Sequence, residues 1–242
     1  MKTVNFAKRN FKEIIRDPLS VIFAIMLPLF LLFIFQQFKI PSEIYKIENF
    51  TPGIIVFSFS FIAMFTATLV AKDRTTSLLT RLCASPMKPR QYILGYTLAI
   101  LPIVLIQNIL FFVVAIFLGL SFNINVIFTI LISFIISILF INLGIFIGCV
   151  TNEKSSAGVS SVIVQLVAFT SGMYFETEMV GAFFGRICDI LPFSHCLQIV
   201  KWVLNRNSDN IYASVIIVLA YMIFTILLAS VLFKKKLESN NK

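Results

Sequence analysis

The stretch VIFTILISFIISILFINLGIFIGCV, residues 126–150, contains no Asp, Glu, Lys, Arg or His. As an α-helix it would measure about 38 Å at about 1.5 Å per residue, which exceeds the roughly 30 Å hydrocarbon core of a bilayer. Five further stretches share this property: residues 18–38, 51–71, 92–120, 157–175 and 211–233. The sequence therefore predicts an all-α, polytopic membrane protein with six transmembrane helices.

Composition favours a membrane protein over a soluble domain. Of the 242 residues, 59% are hydrophobic and 13% are charged, whereas soluble proteins carry about 25% charged residues. The six predicted spans and their short connections account for the length, so we expect one transmembrane domain over residues 1–242. Within the quoted stretch, Gly144-x-x-x-Gly148 would permit close approach of another helix, although apolar segments often contain this spacing by chance.

The basic residues are distributed unevenly between the two sides of the predicted domain. The net charge is +9, and with the N-terminus inside, 15 of the 20 Lys and Arg residues fall on the inner side and 5 on the outer side. This bias is the positive-inside signature, which predicts that both termini are cytoplasmic. The charge then reflects topology and attraction to anionic membrane lipids, and we expect no nucleic-acid binding because no basic groove accompanies it.

The first residues have the pattern of an amphipathic helix. In residues 2–17, apolar side chains that include Phe11 and Ile14 recur at helical spacing, and polar ones that include Arg16 fall on the opposite face. We expect this helix to lie in the inner interface with its apolar face in lipid; a solvated N-terminus is the alternative. Asp17 precedes a proline and is positioned to cap the next helix.

The segment between the second and third spans predicts a short cytoplasmic helix over residues 75–85. Thr76 can cap its start, Ser85 and Pro86 end it, and Arg81 adds to its basic character. One side of this helix is apolar and is formed by Leu78, Leu79, Leu82 and Cys83. Because the helix is too short to span the membrane, its apolar side must dock on the bundle or, as we expect, on a partner protein.

The longest outer connection is unusually apolar for a loop. It predicts two short helices within residues 179–204 that break at Pro192 and form a re-entrant pair or a lid over the bundle. Cys188 and Cys196 fall in this connection, where a disulfide between them is conceivable. We expect both to act instead as small apolar packing residues.

The sequence offers no catalytic or metal-binding constellation. His195 is the only histidine, and it lies beside Ser194 with Asp189 nearby. Adjacent residues on one helical turn cannot easily point at each other, so we expect no catalytic triad and a packing role for the histidine. No spacing of cysteines or histidine is typical of a metal site, and we expect none.

The predicted spans contain amides but no ionisable side chain. These amides are the candidate residues of a substrate path: Gln107, Asn108, Asn142 and Gln165. Ion-coupled transporters usually need ionisable groups in the membrane, so ion-driven transport is disfavoured. The chain also lacks the GxxxxGK[ST] loop that binds nucleotide phosphates. Energy for transport would therefore have to come through a partner.

Several segments, in this order and spacing, resemble the type-2 permeases of ATP-binding cassette (ABC) exporters, the drug- and lipid-efflux membrane subunits of bacteria. The matching segments are residues 9–18, 49–53, 72–86, 151–156 and 170–195. They are spread along the sequence, so the resemblance covers essentially the whole chain. Each motif is loose by itself, and the specificity of the resemblance lies in the order of the motifs.

The resemblance implies a role for several segments. Residues 2–17 correspond to the family's N-terminal elbow helix, residues 75–85 to its coupling helix and residues 179–204 to its outer re-entrant helices. The family's first and fifth spans usually meet at a dimer interface, which would place Gln165 near the path. Contact with the ATPase would involve Thr76, Leu78, Leu79, Arg81, Leu82 and Cys83.

The resemblance also implies partners and a location. It implies two copies of a cytosolic ABC ATPase, which bind MgATP, and a second permease subunit that is identical or a sister chain. No cofactor is expected in this chain itself. The complex would lie in the bacterial cytoplasmic membrane.

The function expected from the sequence is ATP-driven export of an amphipathic or lipid-like compound, such as an antibiotic or a peptide. An uncharged path rich in Phe and amides would suit such a compound. Two alternatives remain open at this point. One is a passive channel or ion-coupled carrier, and the other is an antimicrobial sensor or immunity protein that does not transport.

Overall fold

The structure is a computed structural model of the chain, and it describes residues 2–38, 42–75, 87–175, 181–206 and 210–239. Apart from a short 3₁₀ turn at Glu43–Tyr45, the regular structure of these residues is α-helical, and no strand occurs among them. The predicted all-α class is confirmed.

The described residues form nine α-helices. In chain order they are α1 (Lys2–Ile15), α2 (Pro18–Gln37), α3 (Ile47–Thr75), α4 (Pro89–Phe117), α5 (Ile124–Val150), α6 (Glu153–Thr170), α7 (Ala182–Ile190), α8 (Pro192–Asn205) and α9 (Tyr212–Ser239). The predicted break at Pro192 is confirmed, since α7 and α8 meet there at an angle of 77°.

Helix length and hydropathy identify four membrane-spanning candidates among the described residues: α3, α4, α5 and α9. The bent pair of α7 and α8 adds a fifth if it forms one broken span. The other two predicted spans differ: α2 contributes a shorter apolar segment, Val21–Gln37, and α6 begins with the polar run Glu153-Lys-Ser-Ser. A polytopic membrane protein is therefore established, and the total of six spans stays a prediction.

Two helices begin one turn before the predicted apolar boundary. α3 begins at Ile47 rather than at residue 51, so Pro52 lies inside the helix instead of opening it. α6 begins at Glu153 because the Asn152 side chain accepts a hydrogen bond from the Ser155 amide at 2.9 Å. An acidic residue in the first turn, as in both helices, also stabilises the positive end of the helix dipole.

α3 is the central helix of the bundle, because 83% of an 18-residue apolar stretch within it is buried. It packs most closely against α5, where Gly144 and Gly148 face the backbone of Ala63 and Ala67. A methyl group added at Gly144 would stand 2.4 Å from the Ala63 carbonyl oxygen, and one at Gly148 would stand 2.6 Å from that of Ala67. The close helix approach predicted from this glycine spacing is confirmed.

Candidate functional site at the end of α3

The site is built around the last turn of α3, directly before residues 76–86. The Asp73 side chain is 2% exposed and accepts two hydrogen bonds from Arg9 of α1, at 2.8 Å and 3.0 Å. Tyr96 of α4 donates a third hydrogen bond to the same carboxylate, at 2.8 Å. A buried carboxylate is stable only when its charge is paired and its oxygens are hydrogen-bonded, and these two partners meet both needs.

The Arg9 guanidinium is held by a second carboxylate as well. Glu13, one turn later on α1, forms an ion pair with Arg9 and lies 3.6 Å from the ammonium group of Lys72. Burial alone would lower the pKa of Arg9, but the hydrogen bond and charge of Asp73, with the charge of Glu13, outweigh it and raise that pKa. Arg9 is thus a permanent cation, and the alternating charges join α1 to the end of α3.

The apolar face of α1 was expected to lie in lipid, but the structure buries part of it in the bundle. Phe6, which lies outside that predicted face, is buried edge-to-face between Tyr92 and Tyr96 of α4, with ring centroids 5.4 Å and 5.1 Å away. Ile14 is also buried, whereas Phe11 is half-buried and Ile15 is exposed. The helix is therefore attached to the bundle by packing, which positions Arg9 for Asp73.

Arg74, the neighbour of Asp73, anchors α3 to a different helix. Its guanidinium donates hydrogen bonds to the carbonyl oxygens of Gly148, at 2.6 Å, and Thr151, at 3.0 Å. These carbonyls lie at the C-terminal end of α5, where the helix dipole favours a positive charge. Asp73 and Arg74 together therefore fix the last turn of α3 to α1, α4 and α5.

An apolar cavity of about 330 Å³ lies beside this network. Its lining comes from α1, α2, α3 and α6 and includes Phe23, Ala24, Phe61, Met64, Phe65, Thr68, Leu69 and Ala157. Glu13, Asp17 and Lys72 line both this cavity and an adjoining polar groove of about 780 Å³ along α1. An apolar chamber next to a charged groove suits a molecule that has an apolar body and a polar head.

The structure separates the four candidate amides of the substrate path. Gln107 and Asn108 of α4 and Asn142 of α5 are buried inside the chain, while Gln165 is exposed on α6. Both amide atoms of Gln107 and of Asn108, and the oxygen of Asn142, find no hydrogen-bond partner among the described residues. Each buried polar atom without a hydrogen bond lowers the stability of the fold by about 1–3 kcal/mol. Packing alone therefore does not explain why three amides are buried here.

His195 does not form a catalytic triad in the structure. Its Nε2 donates to the backbone carbonyl of Asp189 at 2.8 Å, and its Nδ1 lies 2.9 Å from the hydroxyl oxygen of Ser214. The Ser194 hydroxyl turns away and donates to the carbonyl of Cys188 at 2.6 Å. The histidine therefore joins α7 and α8 to α9, and Cys188 and Cys196 are both free, buried thiols.

Comparison with known proteins now identifies the architecture. The family model described as "ABC-2 type transporter" matches residues 2–205 of the chain. This chain belongs to the ABC-2 type transporter family. Membrane subunits of this family associate with an ATP-binding cassette partner.

A curated relative of this ABC-2 chain gives the same indication. It is a Bacillus subtilis (strain 168) protein named "Putative transport permease YvfS", 29% identical over 97 residues. The match covers 40% of the ABC-2 chain and spans 39% of the relative's own length. This match supports the interpretation of the chain as a transport permease.

The coupling residues assigned from the sequence lie outside the described residues of this ABC-2 chain. They are Thr76, Leu78, Leu79, Arg81, Leu82 and Cys83. Their contact with an ATPase stays a prediction. Sequence reasoning missed the Arg9–Asp73 pair because 64 positions separate its members, and the two motifs that contain them do not indicate a contact between them.

Proposed function

We propose that this permease belongs to an ATP-driven exporter that moves an amphipathic or lipid-like compound, such as an antibiotic or a peptide, out of the cell. The observation that carries the proposal is the anchoring of the end of α3, where Asp73 and Arg74 are hydrogen-bonded to three other helices directly before residue 76. A displacement of residues 76–86 would be transmitted through α3 to the transmembrane bundle. With both termini in the cytoplasm, the segment would face the cytosol.

The proposed energy source is a cytosolic ABC ATPase that binds MgATP, with two copies for each complex. The chain contains no GxxxxGK[ST] loop of its own, and its family works with such a partner. The apolar side formed by Leu78, Leu79 and Leu82 would dock in the ATPase. ATP binding would then close the inner side of the complex and open the outer side.

A second permease subunit, identical or a sister chain, would complete the path. Exposed apolar side chains on α2 and α6 support this arrangement, among them Phe23 and Phe30 on α2 and Val162 and Phe169 on α6. Gln165 lies on this exposed side of α6, so pairing through these helices would bring it to the boundary between the two subunits.

The coupling role is tested by placing a charge on the apolar side of residues 75–85. Leu78→Asp and Leu82→Asp should abolish substrate-stimulated ATP hydrolysis and transport, because a carboxylate cannot enter an apolar docking groove without a partner. Both rates are measured with the complex reconstituted in proteoliposomes, and insertion is checked by surface labelling.

Ser77→Asp is the matched control, since it adds the same charge to the opposite face of the predicted helix. It should retain most of the transport. Unchanged transport in both leucine variants would remove the coupling assignment. Transport by the permease without any ATPase would instead favour a channel or carrier.

The substrate class is tested at the 330 Å³ cavity. Narrowing it with Thr68→Trp should weaken stimulation of the ATPase by amphipathic peptides, because the added indole ring occupies part of the cavity. Leu98→Trp, at an exposed position of α4, is the control and should leave stimulation intact. Stimulation by small hydrophilic sugars alone would contradict the proposed substrate class.

A further inference from the structure

The surface groove between α5 and α8 is a second cavity, and it lies apart from the α1 end of the bundle. It has a volume of about 580 Å³ and is lined by Asn125, Phe128, Leu131, Ile132, Ile135, Trp202, Val203 and Arg206. The lining is apolar along its length, and its two polar residues, Asn125 and Arg206, are hydrogen-bonded to each other. The groove therefore has one polar end, and the rest of its lining is apolar.

The length of the groove matches one leaflet of a bilayer. On α5 it runs from Asn125, next to the start of the helix, to Ile135. Ten residues of α-helix measure about 15 Å, which is half of the roughly 30 Å hydrocarbon core. Phe128, Leu131 and Ile135 are each about half exposed along this line, so an acyl chain can lie against them.

Arg206 is held at the mouth of the groove in a way that leaves its charge available. Its Nε donates to the Asn125 side-chain oxygen at 2.9 Å, which fixes the plane of the guanidinium. The Asn125 amide nitrogen in turn donates to the Leu204 carbonyl at 3.3 Å. Among the described residues no carboxylate forms an ion pair with Arg206, so its two terminal nitrogens can bind a phosphate as a fork.

The backbone of Arg206 gives an independent reason to look for a ligand. This residue has φ 51° and ψ 44°, the left-handed conformation, and it is the non-glycine residue with positive φ in the described part of the chain. An L-residue in this region costs about 1–2 kcal/mol, and glycine or asparagine would end the helix more cheaply. A ligand bound by the side chain would explain why an arginine occupies this position.

We propose that the α5–α8 groove is a binding site for a phospholipid of the adjacent leaflet, selective for anionic headgroups. The phosphodiester would sit on the terminal nitrogens of Arg206, and one acyl chain would lie along Phe128, Leu131 and Ile135. Trp202, which is 38% exposed, would flank the glycerol region, where indole rings are favoured. The site would hold lipid beside the α7–α8 pair and stands independently of the exporter proposal.

The test is a lipid titration followed by native mass spectrometry. The purified full-length permease is titrated with phosphatidylglycerol and, separately, with phosphatidylcholine. Wild type should bind one phosphatidylglycerol several-fold more tightly than phosphatidylcholine. Arg206→Gln should weaken phosphatidylglycerol binding by about tenfold or more, as expected for the loss of a charged hydrogen-bonded contact. Arg206→Lys should retain part of the affinity, since it keeps the charge but not the fork.

Two further variants separate the site from general effects. Val203→Trp keeps every charge but fills the groove, and it should also weaken phosphatidylglycerol binding. Arg186→Gln removes one exposed arginine from neighbouring α7, outside the groove, and should leave binding unchanged. Equal affinity of wild type and Arg206→Gln, or an equal loss in Arg186→Gln, would overturn the proposal. Unchanged binding in Val203→Trp would do so as well.

Discussion

Replacing Gly144 by alanine is expected to destabilise the permease by about 3 kcal/mol, the upper end of the usual cost of overpacking. The added methyl group would stand 2.4 Å from the Ala63 carbonyl oxygen and 2.7 Å from Cβ of Thr66. A backbone carbonyl in a buried helix cannot move aside as a flexible side chain can, so α3 and α5 must separate. Gly148→Ala should act in the same way through Ala67.

The measurement is thermal unfolding of each variant in the same detergent or nanodisc. A loss of about 3 kcal/mol corresponds to a fall in Tm of about 6–12 °C for a chain of this size. Gly158→Ala on α6 is the matched control, because nothing lies within 4 Å of a methyl group there. That variant should be unchanged or more stable by up to about 1 kcal/mol, since alanine favours the helix. Equal Tm values for Gly144→Ala and Gly158→Ala would contradict the close packing of α3 and α5.

Asp73→Asn is expected to lower stability by about 2–3 kcal/mol and, in the proposed exporter, to impair ATP-coupled transport. The change leaves a side chain of nearly the same shape but removes the charge that holds Arg9 and accepts from Tyr96. Arg9 is 37% exposed, so solvent can screen part of the loss, and the figure lies below that for a fully buried ion pair.

A double-mutant cycle isolates the interaction between the two side chains. Arg9→Gln, Asp73→Asn and the double variant are compared by thermal unfolding, and a coupling energy of about 1–2 kcal/mol is expected. Glu43→Gln is the control, because its ion pair with Lys46 is largely exposed and should be worth less than about 1 kcal/mol. Strict additivity of the two single variants would show that the pair does not stabilise the contact between α1 and α3.

The fold class and the helix positions could be predicted because the bilayer constrains them strongly. Runs without charged residues predicted both ends of α4 and α5 to within three residues, and the start of α9 to within one, although α9 continues six residues beyond its predicted end. The glycine spacing predicted which face of α5 approaches another helix. The partner of that face, α3, could not be predicted, because small residues recur in most of the apolar stretches. The starts of some helices were predicted less accurately, because a polar first turn such as that of α6 lies outside the apolar stretch.

The candidate site could be predicted only in part. Residues 75–85 stood out because they form an amphipathic pattern between spans. The network at the end of α3 could not be predicted, because Arg9, Asp73 and Tyr96 come together only through folding. The apolar face of α1 misled the prediction for a related reason: periodicity shows that a face is buried, but lipid and a neighbouring helix leave the same pattern in the sequence.

The Tyr96–Asp73 hydrogen bond has a mechanical consequence for the segment between α3 and α4. Asp73 lies just before residues 76–86, and Tyr96 lies on the second turn of the helix that follows them, so the bond joins the two ends of the segment. The hydrogen bond holds the end of α3 and the first turns of α4 together. A displacement of either helix end is therefore expected to move α3 and α4 as one unit, with α1 attached through Arg9.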